Sequence, residues 1–75
     1  MNQKRRKVIK SIVSNLNECS QMIEGVLGEE QDALANMPEN LEASSKYEAI
    51  EEAVDNIESA YDSLNDAIDY LNSAV

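Results

Sequence analysis

Hydrophobic residues recur along the second half of the chain in a strict seven-residue repeat. A large aliphatic residue opens each repeat, at Ile50, Ile57, Leu64 and Leu71. An alanine follows three residues later, at Ala53, Ala60, Ala67 and Ala74, and a bulky residue comes next, at Val54, Tyr61, Ile68 and Val75. This spacing is typical of a helix that packs closely along one side. It predicts a long second helix over about residues 45–74.

The first half of the chain also carries the amphipathic helix signal, with apolar residues three and four positions apart. They are Val8, Ile9, Ile12, Val13, Leu16, Cys19, Met22, Ile23, Val26, Leu27, Ala33 and Leu34. This pattern predicts a first helix over about residues 3–35. Gly25 and Gly28 weaken a helix interior, and Glu30 stands where an apolar residue is expected. We therefore expect a bend, a loosened turn, or water against the seam at residues 25–31.

Residues 36–44 separate the two helices and contain Pro38, which fits only the first turn of a helix. Asn36 and Glu39 form a pair like a capping box, so we expect a short helical turn or ordered loop over residues 38–43. Ser45 and Glu48 form a second such box, which predicts the start of the second helix.

Two long helices with a short connector predict an all-α fold, an antiparallel helical hairpin forming one domain over residues 1–75. The second helix is apolar at three of seven heptad positions, a stripe too wide for one neighbouring helix to cover. We therefore expect a homodimer that forms a four-helix bundle, the alternative being a monomer with a partly exposed stripe. The expected oligomer seam comprises Ile50, Ala53, Ile57, Ala60, Leu64, Ala67 and Leu71.

Charge is distributed unevenly along the chain, which has a formal net charge of −9. Five of the six basic residues form a basic tip: Lys4, Arg5, Arg6, Lys7 and Lys10. Residues 11–75 hold one lysine against 15 acidic residues, a formal charge of −14. In a hairpin, the basic tip would lie beside the end of the second helix, near Asp66, Asp69 and the terminal carboxylate.

The second helix carries an acidic ridge: Glu48, Glu51, Glu52, Asp55, Glu58, Asp62, Asp66 and Asp69. A charged face of this kind usually serves solubility alone. Carboxylates one helical turn apart are also separated by roughly 5 to 6 Å, comparable with phosphates along a nucleic acid. The ridge could therefore occupy the basic groove of a nucleic-acid enzyme. The partner-binding candidates are Glu51, Asp55, Glu58, Asp62, Asp66 and Asp69, with Tyr70 as an exposed contact.

The basic tip gives a second binding hypothesis, in which an oligomer gathers several tips around an anionic nucleotide. The anion-binding candidates are Arg5, Arg6, Lys7 and Lys10. Pairing of the tip with the second helix is the simpler alternative. Direct DNA binding is not expected, because an isoelectric point near 4.2 is opposite to that of DNA readers.

No catalytic, metal or cofactor site is expected. The chain has no histidine, and its lone Cys19 cannot make a zinc set and is read as a small seam residue. A single cysteine favours the cytoplasm. No export signal or membrane span is expected, because polar residues break every apolar run.

Residues 29–75, with Asn36-x-Pro-Glu-x-Leu and the Ile/Leu-x-x-Ala repeats, resemble short acidic helical-hairpin proteins of phages and mobile elements of Gram-positive bacteria. That group has no single assigned activity, so no functional residues carry over. Small acidic phage proteins often block a machine of the bacterial host cell, in its cytoplasm. The resemblance therefore implies a non-enzymatic inhibitor of the anti-CRISPR or another anti-defence type, whose partner is a host protein with a basic groove, such as a nuclease. The nucleotide sponge and a structural oligomerisation module are the alternatives.

Overall fold

The computed structural model describes residues 1–38, 40 and 44–75. It contains two α-helices, α1 over Gln3–Ala35 and α2 over Ser45–Ala74, and no strand among the described residues. The two helices pack against each other, and the molecule measures 59 × 14 × 13 Å. The prediction of an all-α helical hairpin is confirmed.

Helix α1 begins with a side-chain cap. The Asn2 side chain accepts a hydrogen bond from the backbone N–H of Arg5 at 2.8 Å. Its first turn contains no acidic residue and already includes Lys4, Arg5 and Arg6 of the basic tip. Because a helix N-terminus favours anions, the asparagine cap provides the stabilisation that the charges of this turn do not.

Helix α1 ends at Ala35, and Glu39 of the expected capping box lies outside the described residues. The Asn36 N–H donates to the carbonyl of Asp32 at 2.9 Å, and the Met37 N–H donates to that of Leu34 at 3.2 Å. Asn36 is therefore the C-cap of α1. Of the helical turn expected over residues 38–43, residues 39 and 41–43 lie outside the described part of the chain.

Helix α2 is capped by Ser44, one residue before the serine that the sequence favoured. The Ser44 hydroxyl accepts a hydrogen bond from the Tyr47 N–H at 3.2 Å, while Ser45 is the first helical residue. The prediction of a cap at Ser45 is wrong by one position, because the hydroxyl must reach the amide of the third helical residue.

Replacing Ser44 with alanine should therefore lower the free energy of unfolding by about 1 kcal/mol. The matched control is Ser45→Ala, which removes the same hydroxyl from the neighbouring exposed position. We expect the control to change stability little. Thermal denaturation followed by circular dichroism measures both, and a larger loss in the Ser45 variant would contradict this assignment of the cap.

The helix is continuous where the sequence predicted a loosened turn. Residues 25–31 are all helical, and no described residue has a positive φ angle. Glu30 is half-buried within the seam. The expected loosened turn is therefore wrong, since both glycines are helical despite their low propensity. A bend, or water against the seam, at these residues stays a prediction.

The seam between the helices follows a heptad pattern in both. In α1 the least exposed residues are Arg6, Ile9, Val13, Leu16, Ser20, Ile23, Leu27, Glu30 and Leu34, with Gly28 beside them. In α2 they are Tyr47, Ile50, Val54, Ile57, Tyr61, Leu64, Ile68 and Leu71, with Ala53 and Asn65 beside them. Among the described apolar residues only Val54 and Ile68 are buried, at 7% and 6% exposure. The interior is therefore one layer of side chains.

Two hydrogen bonds fix the direction and register of the helices. The Ser20 hydroxyl donates to the Asn65 side-chain oxygen at 3.0 Å, and the Tyr61 hydroxyl donates to the Glu24 carboxylate at 3.4 Å. Four residues forward along α1 thus correspond to four residues back along α2, so the helices are antiparallel. Ser20 is buried, and its polar contact in the seam specifies this register.

Candidate functional site

One flank of the seam is closed by polar side chains. The Gln31 amide donates to the Glu58 carboxylate at 3.2 Å, on the same flank as the Ser20–Asn65 and Tyr61–Glu24 hydrogen bonds. Each of these hydrogen bonds involves a residue that directly follows a seam residue in the sequence and so lies on the same flank of its helix. These residues are Glu24, Gln31, Glu58 and Asn65. We call this flank the hydrogen-bonded side.

The opposite flank is apolar and open. It combines exposed hydrophobic residues of α1 with small residues of α2. We call it the apolar face, and it comprises Ile12, Cys19, Met22 and Val26 with Ala60 and Ala67. At its centre lies a groove of about 440 Å³ lined by Met22, Ile23, Val26, Asn56, Ile57 and Ala60. Met22 is 71% exposed, which is high for a methionine in a folded domain.

The residues expected in an oligomer seam are divided between two places. Ile50, Ile57, Leu64 and Leu71 are half-buried and pack within the hairpin itself. Ala53 is half-buried, whereas Ala60 and Ala67 are exposed on the apolar face. Of the residues expected in the oligomer seam, Ala60 and Ala67 are therefore the ones that lie on the apolar face.

The acidic ridge lies on the outer side of α2. Its eight residues are all exposed. Glu48, Asp55, Asp62 and Asp69 are seven residues apart and form one line along the helix. Glu58 accepts the hydrogen bond from Gln31. In the described part of the chain no ion pair neutralises the ridge. Tyr70 is 78% exposed, as a contact residue must be.

The basic tip lies at the N-terminal end of α1. Lys4, Arg5, Lys7 and Lys10 are exposed, while Arg6 is half-buried and its Nε atom has no hydrogen-bond partner. A shallow groove of about 520 Å³ beside the tip is lined by Met1, Asn2, Lys4, Arg5, Val8 and Ile9.

The expected pairing of the tip with Asp66 and Asp69 produces no ion pair among the residues that the structure describes. Continuing the register of the Ser20–Asn65 contact along both helices brings Val75 level with Lys10. The side chains of Lys4 to Lys7 therefore lie past that level, beyond the reach of the ridge.

Cys19 is exposed and does not occupy the seam. The seam position belongs to its neighbour Ser20, which was not predicted because serine is polar. The spacing of four residues from Leu16 and three to Ile23 is the signal that would have identified it. The exposure of Met22 and Val26 on the apolar face was missed in the same way, since both were assigned to one undivided stripe.

The described residues contain no group of three or more side chains that could hold a metal ion. Neither helix, as far as it is described, has a stretch apolar and long enough to cross a membrane.

No protein-family model, curated protein or solved structure matches this chain. Its candidate surfaces must therefore be judged from their own residues and geometry. They are the acidic ridge, the apolar face and the basic tip.

Proposed function

We propose that this protein is a non-enzymatic binding protein that places the acidic ridge of α2 in a basic groove of a partner protein. The observation that supports the proposal is the exposed line of Glu48, Asp55, Asp62 and Asp69, without an ion pair in the described part of the chain. Lys46 is the only basic residue in the whole of α2. Such a surface attracts a basic partner over a distance and loses affinity as salt screens the charges.

The shape of the hairpin suits a groove built for nucleic acid. Its Cα atoms extend only 14 × 13 Å across the long axis, so the hairpin is a narrow rod that can enter a nucleic-acid cleft from the side. Successive ridge carboxylates one turn apart lie roughly 5 to 6 Å from each other. Together these features suit steric occlusion of the groove, in which the protein competes with the nucleic acid for the same basic side chains.

Within this proposal, the most specific setting is that of a phage-type inhibitor of a bacterial defence or nucleic-acid-processing protein, acting in the host cytoplasm. Its support is the resemblance of residues 29–75 to short acidic phage hairpins. The proposal that the inhibitor is of the anti-CRISPR or another anti-defence type rests on this phage setting alone.

The proposal is tested by reversing three charges of the ridge in the variant Asp55→Lys, Asp62→Lys and Asp69→Lys. These residues are exposed and make no hydrogen bond within the described structure, so the fold should be retained. The immobilised protein is incubated with bacterial lysate, washed at low and then high salt, and its bound proteins are identified. We expect wild type to retain a nucleic-acid-binding protein that high salt removes, and the variant to retain at most one hundredth as much.

The matched control reverses three exposed acidic residues of α1, Glu18, Glu29 and Asp32, which changes net charge by the same amount. We expect this control to keep a substantial part of the binding. Equal loss in both variants would show that net charge and not the ridge is responsible, and unchanged binding in the ridge variant would refute the proposal.

A second candidate function, sequestration of an anionic nucleotide, is favoured by the groove lined by the exposed side chains of Lys4 and Arg5. Replacing Arg5, Arg6 and Lys10 with alanine should remove nucleotide binding, as measured by calorimetric titration with ATP, and leave capture of a basic protein intact. Absence of ATP binding to wild type counts against this candidate.

A further inference from the structure

We propose that the apolar face is the interface for a second copy of this chain, packed face to face with the two basic tips at opposite ends. The resulting assembly is an antiparallel four-helix bundle with two-fold symmetry. This inference is independent of the proposed function, because the acidic ridge lies on the other side of α2 and stays exposed in the bundle.

The surface area of the single hairpin is the first argument. Its accessible surface is 5562 Å². A compact monomer of the same mass exposes only about 4,600 Å². The excess of about 1,000 Å² is close to the roughly 800 Å² that each partner buries in a stable protein interface. The hairpin therefore has enough surplus surface for one interface of this size with a second copy.

The composition of the face is the second argument. Ile12, Cys19 and Val26 are seven residues apart and occupy the same heptad position of α1. Ala60 and Ala67 occupy the corresponding heptad position of α2. Exposed alanines allow a neighbouring helix to approach to about 8 Å, the short end of interaxial distances. With Cys19 at the two-fold axis, Ile12 of the second copy lies level with Val26, where the groove offers room for its side chain. The apolar face therefore allows a second copy to pack closely through apolar contacts, without hydrogen bonds.

The distribution of charge selects the orientation. Face-to-face packing with two-fold symmetry allows the tips to lie at the same end or at opposite ends. With tips together, two clusters of five basic residues would repel each other. With tips apart, α1 lies along the α1 of the second copy, and each basic tip meets the acidic end of the other α1, at Glu29, Glu30 and Asp32. Opposite charges then meet at both ends of the bundle.

The same orientation places Cys19 near the two-fold axis. Cys19 is the middle residue of α1, which spans Gln3–Ala35, and it lies exposed on the apolar face. When α1 packs antiparallel on its own copy, the middle residues of the two helices approach each other. In the alternative with tips together, each α1 would pack on α2 of the other copy. The two Cys19 thiols would then belong to two separate helix–helix contacts and would not face each other.

The test of the interface is the mass in solution, measured by sedimentation equilibrium for wild type, Ala60→Glu and Ser59→Glu. Both substitutions introduce one carboxylate at an exposed position, but only Ala60 lines the groove. We expect wild type and Ser59→Glu to have twice the 8.3 kDa mass of the chain, and Ala60→Glu to be a helical monomer over the same micromolar concentrations. A monomeric wild type, or an Ala60→Glu dimer as tight as wild type, would overturn the proposal.

The test of the orientation is cross-linking of the reduced wild-type protein through Cys19 with a short bis-maleimide. We expect efficient formation of a covalent dimer, and the Cys19→Ser variant should form none while keeping the wild-type mass in sedimentation. A sedimenting dimer that the reagent fails to link would contradict the antiparallel arrangement. Charge reversal provides a second check. Lys4→Glu with Arg5→Glu should weaken the dimer about tenfold or more, and adding Glu29→Lys with Asp32→Lys should restore it.

Discussion

Replacing Ile68 with alanine is expected to leave much of the protein unfolded near its physiological temperature. Ile68 is 6% exposed and is one of two buried apolar residues in the described part of the chain. Removing a buried isoleucine down to alanine costs about 2–5 kcal/mol. The total stability of a 75-residue domain is roughly 4–11 kcal/mol, so this one substitution removes a large part of it. Thermal denaturation followed by circular dichroism measures the loss.

The control for this prediction is Val75→Ala, which shortens an apolar residue that is 40% exposed beside the end of the same helix. We expect it to change the free energy of unfolding by at most about 0.5 kcal/mol. If Ile68→Ala is as stable as Val75→Ala, then Ile68 does not lie in the seam and the register of the hairpin is wrong.

Replacing both Gly25 and Gly28 with alanine should stabilise the protein by about 2 kcal/mol. Each glycine lies inside α1, where alanine is favoured by about 1 kcal/mol. A Cβ atom added at either position meets no atom within 4 Å, so the gain in helix propensity is not offset by a clash. The midpoint of urea denaturation should rise while its slope stays constant.

The single variants Gly25→Ala and Gly28→Ala serve as controls, and each should show about half of the gain. A loss of stability in either variant would mean that the native chain bends at that glycine, as the sequence had suggested. The outcome therefore decides between the continuous helix of the structure and the loosened turn expected from composition.

The two helices could be predicted from the sequence because hydrophobic spacing is a property of each helix alone. The seven-residue repeat from Ile50 to Leu71 indicates a packed helix whatever its partner. The cap of α2 was harder to place, since Ser44 and Ser45 are adjacent and Glu48 favoured the second of them. Only the hydrogen bond to the Tyr47 N–H distinguishes the two serines.

The division of the seam into a hydrogen-bonded side and an apolar face could not be predicted, because it depends on which flank of α1 meets which flank of α2. The sequence shows that Ala60 adjoins the seam, but an antiparallel helix can lie on either side of it. The Ser20–Asn65 and Tyr61–Glu24 contacts settle that geometry in the structure. The acidic ridge, in contrast, followed directly from spacing, and all eight of its residues are exposed.

The central claim is that each chain closes its own hydrogen-bonded side and leaves the apolar face to a second chain. An isotope-filtered NOE experiment on an equal mixture of labelled and unlabelled chains tests it most directly. We expect contacts between Tyr61 and Glu24 only within a chain, and contacts from Met22 or Val26 to the apolar face between chains. Contacts between Tyr61 and Glu24 across chains, or no contact between chains at all, would contradict the account.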